Sequence, residues 1–444
     1  MRARLRPESA GIVHFGLGAF HRVHQAVYTE DAMRVSGDRS WGIIGVSSRM
    51  RRVLEPQDYL YTVVERGEGA APPRVVGALT DVVPGPQVPE LLARPAIRVV
   101  TLTVTEKGYR HDPATGSLDL TDPAIVADLN GEQPGTVVGQ LVHGLRLRMG
   151  GPPITVVCCD NVPGNGKFLH ALVREFCQAA GLTALHDWIE ATVRFPGTMV
   201  DRIAPATTAA DLAEADHELG YRDDALVVTE PFSQWVIEDD FAAARPAWDR
   251  AGAVLTADVE PWERLKLRVL NASHSMLAYF GLLLGHESIA DAVNDPVLRD
   301  ACRAMLADDV LPALRPPSEV DVEAYVRTTL ARFANRALRH TTAQVASDGS
   351  QKLGPRLLGT EVDLRATGRE SRWLPLVVAA WTRHVETATR LVDPLAADLR
   401  AASFPLDVIF RGDPAFRARV VAARDRLVAE DPRSVLREVL EGRG

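Results

Sequence analysis

The sequence predicts an α/β chain: a doubly wound sheet domain over residues 1–256, then an all-helical domain over residues 257–444. Three observations predict it. Short β-rich runs alternate with helical stretches through the first half, the pattern of βαβ units. Those runs are continuously apolar rather than alternating, as in parallel strands buried on both faces. Beyond about residue 257, strand-like runs stop and long helical patterns take over.

The expected strands are "GIVHFG" (11–16), "GIIGVS" (42–47), "IRVVTLTVT" (97–105), "ITVVCCD" (154–160) and "DALVVTEPF" (224–232). Helices are expected between them at 19–36, 86–93, 135–149 and 165–181. In the second half "PWERLKLRVLNASHSMLAYFGLLLG" (261–285) reads as one long helix, followed by helices at 295–314, 320–334, 373–391 and 413–442.

A net charge of −8 argues against nucleic acid or an anionic membrane surface as the main partner. No apolar run reaches the ~18 residues of a membrane span, and the N-terminus has no signal-type apolar region. Four cysteines without a CxxC make a disulfide framework or a structural zinc site a poor expectation. A reduced, cytoplasmic protein, monomeric or homodimeric, is expected.

In open α/β sheets ligands bind at the carboxyl ends of the strands. "HFGLGAFHRVHQ" (14–25) opens a helix directly after the first strand, with Gly16 and Gly18 in GxG spacing and Phe20 beside them. Such glycines let backbone approach a pyrophosphate at a helix N-terminus. His21 stands where a third glycine would be. Thr105-Glu106, Asp160-Asn161 and Glu230 lie near later strand ends, which favours a Rossmann-like dinucleotide domain over a plain tight turn. The second strand ends in Ser47, Ser48 and Arg49 rather than in an acid for the ribose hydroxyls, so NADP stays open beside NAD.

Only four of the 50 basic side chains are lysines: Lys107, Lys167, Lys266 and Lys352. On an α-helix Lys266, Asn271 and His274 fall at ~0°, ~140° and ~80°, spread over ~12 Å, with Glu263 at ~60°. Polar groups grouped on an otherwise apolar helix cost free energy unless they have a task. Oxidising a secondary alcohol with a nicotinamide is such a task. It needs a base for the hydroxyl proton and donors for the developing oxyanion. A buried lysine can deprotonate whereas arginine cannot, and an asparagine NH₂ is a neutral donor. Singly, each residue reads better as a surface pair, a helix bond or a core histidine; together they favour catalysis. No metal is called for: HExxH is absent, as is the short-chain YxxxK pair. His21 and His24, three apart, could touch a metal but suit first-turn capping, substrate gating or no such role better.

These residues, with "TLTVTEKGY" (101–109), "CCDNVPGNG" (158–166), "FPGTMVDRIAP" (195–205), "EPFSQWVIEDDF" (230–241) and "ASDGSQKL" (346–353), closely resemble the mannitol dehydrogenase family, metal-independent long-chain polyol dehydrogenases. The resemblance implies Lys266 as general base, Asn271 and Asn161 as the oxyanion hole, His274 as a substrate-orienting group and Glu263 as a proton relay. It implies Asp201 and Lys352 at the substrate, and NAD as the cofactor. Gln344 stands where mannitol-specific members carry an arginine. The surrounding "ALRHTTAQVASDGSQKLGPRLL" looks more like members acting on hexonates, the fructuronate reductases or mannonate oxidoreductases. Arg339 or Arg356 is then expected to meet a substrate carboxylate. D-mannonate/D-fructuronate is favoured over D-mannitol/D-fructose, with D-arabinitol behind. A catalytically inactive nucleotide-binding sensor is the reading from another class, and it should have lost part of the Lys266, Asn271, His274 and Asn161 set.

Overall fold

The computed structural model describes residues 1–112, 115–131, 133–410 and 412–442. The chain divides into two compact units, Met1–Glu260 and Pro261–Gly444.

In the first unit six strands form a parallel sheet: β1 (Ala10–Phe15), β2 (Gly42–Val46), β3 (Leu79–Val83), β4 (Val99–Leu102), β5 (Ile154–Cys158) and β6 (Val193–Arg194). Their order is β3-β2-β1-β4-β5-β6, so the winding reverses between β1 and β4. Successive strand residues point to opposite faces, and both faces are covered. Ile12, Ile43, Val99 and Val157 pack with Val23, Met33 and Trp41. Val13, Phe15, Val100 and Val156 pack with Leu141, Leu145, Leu169 and Val173. Each such side chain stabilises the fold by roughly 1.5–3 kcal/mol, which is why the strands read as unbroken apolar runs.

Two expectations for this unit need correction. The run at 224–232 does not join this sheet: its strand is Val227–Thr229, which pairs in parallel with Tyr61–Glu65 in a separate three-stranded sheet. The sheet's edge is instead β3, whose "LTDVV" carries Thr80 and Asp81 half-buried, as an edge strand permits. The helix expected over 19–36 is broken at His24 (φ −119°, ψ −91°) into Ala19–Val23 and Gln25–Ser36. There the His24 ring packs among Phe20, Tyr28 and Trp235, and its Nε2 bonds the Gln234 carbonyl at 2.9 Å.

The second unit is helical; among its described residues β-pairing is limited to the isolated bridge Ser288–Thr341. Its central helix, Ala272–Leu283, is buried from Ala272 through Gly281, as its all-round apolar sequence requires. Three other helices, Pro296–Met305, Pro414–Ala429 and Pro432–Leu440, each start with an aspartate whose carboxylate accepts first-turn N–H groups, followed by proline; the last two replace the single helix expected over 413–442, which breaks at the extended Glu430 and Asp431. That pairing caps the orphan donors and presets φ. No described helix is long and apolar enough to cross a membrane.

Candidate active site

The candidate residues lie in two groups, one in each unit. The first surrounds the reversal between β1 and β4. Gly16 takes φ +85°, and a Cβ built there would run into the Thr103 carbonyl after β4. Gly18 donates its N–H to Gly16 O at 2.6 Å and precedes the first turn of Ala19–Val23. Beneath the turn His14 bonds Thr101 Oγ1 at 2.8 Å through Nδ1. Its Nε2 reaches Thr103 Oγ1 at 3.0 Å and Gly16 O at 3.1 Å. Burial pulls its pKa down to about 3, so the ring is neutral. His21 lies flat on it, with centroids 3.4 Å apart. Close approach of helix to strand is thus achieved by two stacked imidazoles where a third glycine would otherwise allow it. Phe20, half-buried, stacks on His24.

Gly16→Ala is therefore expected to destabilise the fold by at least ~1–2 kcal/mol from the left-handed backbone alone. Thermal unfolding followed by circular dichroism checks this, and an unchanged midpoint would mean that the turn relaxes freely.

Ser47 accepts the Met50 N–H at 3.2 Å and caps Ser48–Leu54, with Arg49 exposed in its first turn. Thr105 and Glu106 open the 3₁₀ turn after β4, and exposed Asn161 follows β5. A narrow glycine turn at the sheet's switch point, beside a short helix, fits a dinucleotide pyrophosphate. Asp201 is buried at the end of Thr198–Asp201, opposite Gln234.

The second group is on the helix that the sequence singled out. Glu263 (9 % exposed), Lys266 (8 %), Asn271 (6 %) and His274 (9 %) are all buried, so the Lys266 amine is not a surface charge. The helix is not uniformly α. Glu260–Leu265 and Ala272–Leu283 are α-helical, but Lys266–Asn271 is a π turn, with Ala272 N–H bonding Leu267 O. In a π turn residues five apart come nearly into line, whereas α geometry sets them ~140° apart. The wide turn therefore brings Asn271 toward the Lys266 side of the helix.

A second π segment, Gly354–Leu358, supplies Arg356, which donates to Asn271 O at 3.4 Å and to Ser275 Oγ at 3.1 Å. Burial lowers the Arg356 pKa to about 10. Lys352 Nζ donates to Ser347 O at 2.6 Å and Val345 O at 3.3 Å; burial, then the Arg356 charge, lowers it to about 8. His274 stacks on Phe333 and meets His340 edge-on. Burial, then the titratable neighbours His340, Arg356, Lys352 and Arg332, hold His274 well below its ordinary pKa; burial lowers His340 as well. Its Nε2 is buried with no hydrogen-bond partner among the described residues, the state of a ligand-binding nitrogen.

Two expected substrate residues are exposed rather than buried like this group. Arg339 is exposed, in a left-handed C-cap (φ +49°). Gln344 is exposed too, and closes a capping box with Thr341 at the start of Thr342–Ala346. "TTAQ" is the sequence signature of such a box, so this use was readable. Sequence reasoning missed His340, Arg332 and the π turns at 266–271 and 354–358, none of which has a local signature. Among the described residues no cluster of three or more His, Cys, Asp or Glu could hold a metal ion.

Residues 10–250 match the mannitol dehydrogenase Rossmann domain and residues 258–407 the mannitol dehydrogenase C-terminal domain. D-mannonate oxidoreductase of Escherichia coli (strain K12) is 42% identical over 410 residues, covering 88% of this chain and 84% of its own. Polyol:NADP oxidoreductase of Gluconobacter oxydans (strain 621H) is 40% identical over 358 residues, 77% of this chain and 73% of its own. The ternary complex of Pseudomonas fluorescens mannitol 2-dehydrogenase with NAD and D-mannitol is 36% identical, with a TM-score of 0.89 over 98% of this chain and 94% of that one. With both domains matched in order and relatives aligned over most of its length, this chain belongs to the mannitol dehydrogenase family.

Proposed function

We propose that this protein is an NAD(P)-dependent oxidoreductase interconverting a sugar alcohol or hexonate and its 2-keto sugar, with Lys266 as general base. The observation that carries the proposal is the buried set Glu263, Lys266, Asn271 and His274 on one interrupted helix. Bound NAD(P) supplies the hydride acceptor. In the oxidative direction Lys266 Nζ takes the hydroxyl proton as the carbon gives up hydride. The Asn271 amide donates to the oxygen as it gains charge. His274, neutral, donates or accepts at a substrate hydroxyl through Nε2, and Glu263 passes the proton outward. Asp201 and Lys352 serve the substrate.

A hexonate is favoured over a neutral polyol. Lys352 and Arg356 place positive charge beside His274 that a carboxylate would neutralise, with Asp348 and Asp393 opposing it at Lys352. The D-mannonate oxidoreductase relative agrees with that choice. A spectrophotometric panel at 340 nm tests it: fructuronate, tagaturonate, fructose and xylulose, each with NADH and with NADPH. Turnover with none of the four ketones would remove the proposal; fastest reduction of fructose would remove the hexonate preference.

Lys352 also sets a pH dependence. Its ammonium is present below about pH 8 and is lost above it. The KM for fructuronate should therefore climb by up to ~10-fold per pH unit above that point, while the KM for fructose stays level. Lys352→Arg should abolish the climb, because arginine keeps its proton.

A further inference from the structure

Thr105 is a backbone outlier. Of the non-glycine residues with positive φ, Asp58, Arg110, Arg339 and Asp348 have ψ of 35–43°, the ordinary left-handed region. Thr105 has φ +69° with ψ 159°, a region that glycine occupies and β-branched residues avoid. Such a conformation persists only where the surroundings impose it.

Here they do. The Asp160 carboxylate, buried at the end of β5, receives three donors from the segment after β4. Thr105 N–H reaches Oδ1 at 2.8 Å, Val104 N–H reaches Oδ2 at 3.0 Å, and Tyr109 O–H reaches Oδ2 at 2.5 Å. Thr105 O in turn accepts the Gly108 N–H at 2.9 Å, closing the turn. Two N–H groups and one O–H converge on two oxygens. Only a carboxylate can accept all three: asparagine would set an NH₂ against one of the donors.

We infer that Asp160 is a positioning residue: its carboxylate holds Val104–Thr105 in the strained conformation that shapes the β4 side of the dinucleotide site. The place supports this. Thr103 is the residue whose carbonyl a Gly16 Cβ would strike, so the strained peptides continue directly from the wall that the glycine turn packs on. The residue after Asp160 is Asn161, so one carboxylate ties the end of β4 to the segment bearing the proposed oxyanion donor. The inference rests on the reading of this sheet edge as a dinucleotide site.

The test uses the full-length protein. Asp160→Asn leaves a buried donor unpaired and should weaken NADH binding by roughly 10-fold, read by nucleotide fluorescence. Without nucleotide, it should speed tryptic cleavage after Lys107, which is exposed in this turn. Adding Thr105→Gly, which accepts the conformation without strain, should recover part of the lost affinity; a merely structural loss would not be rescued. Unchanged binding and proteolysis in Asp160→Asn overturn the inference, as does a double variant no better than the single one. If Asp160→Asn does not fold, Thr105→Gly alone decides: a raised melting temperature supports stored strain and an unchanged or lowered one refutes it. Failure of the unsubstituted protein to bind NADH or NADPH overturns the dinucleotide reading itself, a result distinct from any of these.

Discussion

Lys266→Ala is expected to slow both ketone reduction and alcohol oxidation by about 10²–10⁴-fold, the range that a positioned acid–base group supplies. Nucleotide binding should stay intact, because the glycine turn after β1 that fits the pyrophosphate belongs to the other compact unit. The more discriminating variant is Lys266→Arg. It keeps the positive charge and much of the length, so an amine serving only as a cation would survive the change. A base would not, since arginine does not give up its proton in a protein. Single-turnover absorbance at 340 nm separates the chemical step from product release. Near-normal turnover in Lys266→Arg would remove the base and leave an electrostatic role.

Much of this was legible in the sequence, for physical reasons. Strands buried on both faces cannot alternate, so β1, β2, β4 and β5 announced themselves as apolar runs. β3 did not, because an edge strand tolerates Thr80 and Asp81. The run at 224–232 was equally apolar but pairs with Tyr61–Glu65, and no local property distinguishes one buried sheet from another. The lysine helix was legible because arginine had replaced lysine almost everywhere else. Its geometry was not: α spacing put Asn271 ~140° from Lys266, and the π turn that changes this is a tertiary feature. Arg356, 85 residues away, bonds the Asn271 carbonyl at the end of that turn. The surroundings of Arg356 and Arg339 likewise needed the fold: both are arginines near "DGSQK", but Arg339 is exposed and Arg356 half-buried against Asn271 and Ser275.

Asn271 bears the second large effect. Truncation in Asn271→Ala should lower kcat about 10²–10³-fold, the cost of losing one oxyanion donor, or ~2.7–4 kcal/mol of barrier. KM should change little, because the amide is aimed at charge that develops only as the reaction proceeds. Asn271→Asp preserves shape but replaces an N–H donor with an acceptor carrying negative charge. It should be worse than alanine, since it opposes the growing oxyanion instead of merely failing to stabilise it. The order wild type, alanine, aspartate in kcat is the signature of a donor in this place. The reverse order of the two variants, or a raised KM with kcat preserved, would make Asn271 a ground-state contact. The neighbouring backbone keeps the comparison clean: Arg356 grips the carbonyl of residue 271 and the Ser275 hydroxyl, neither of which these substitutions remove. The π turn should therefore persist while only the amide group is lost.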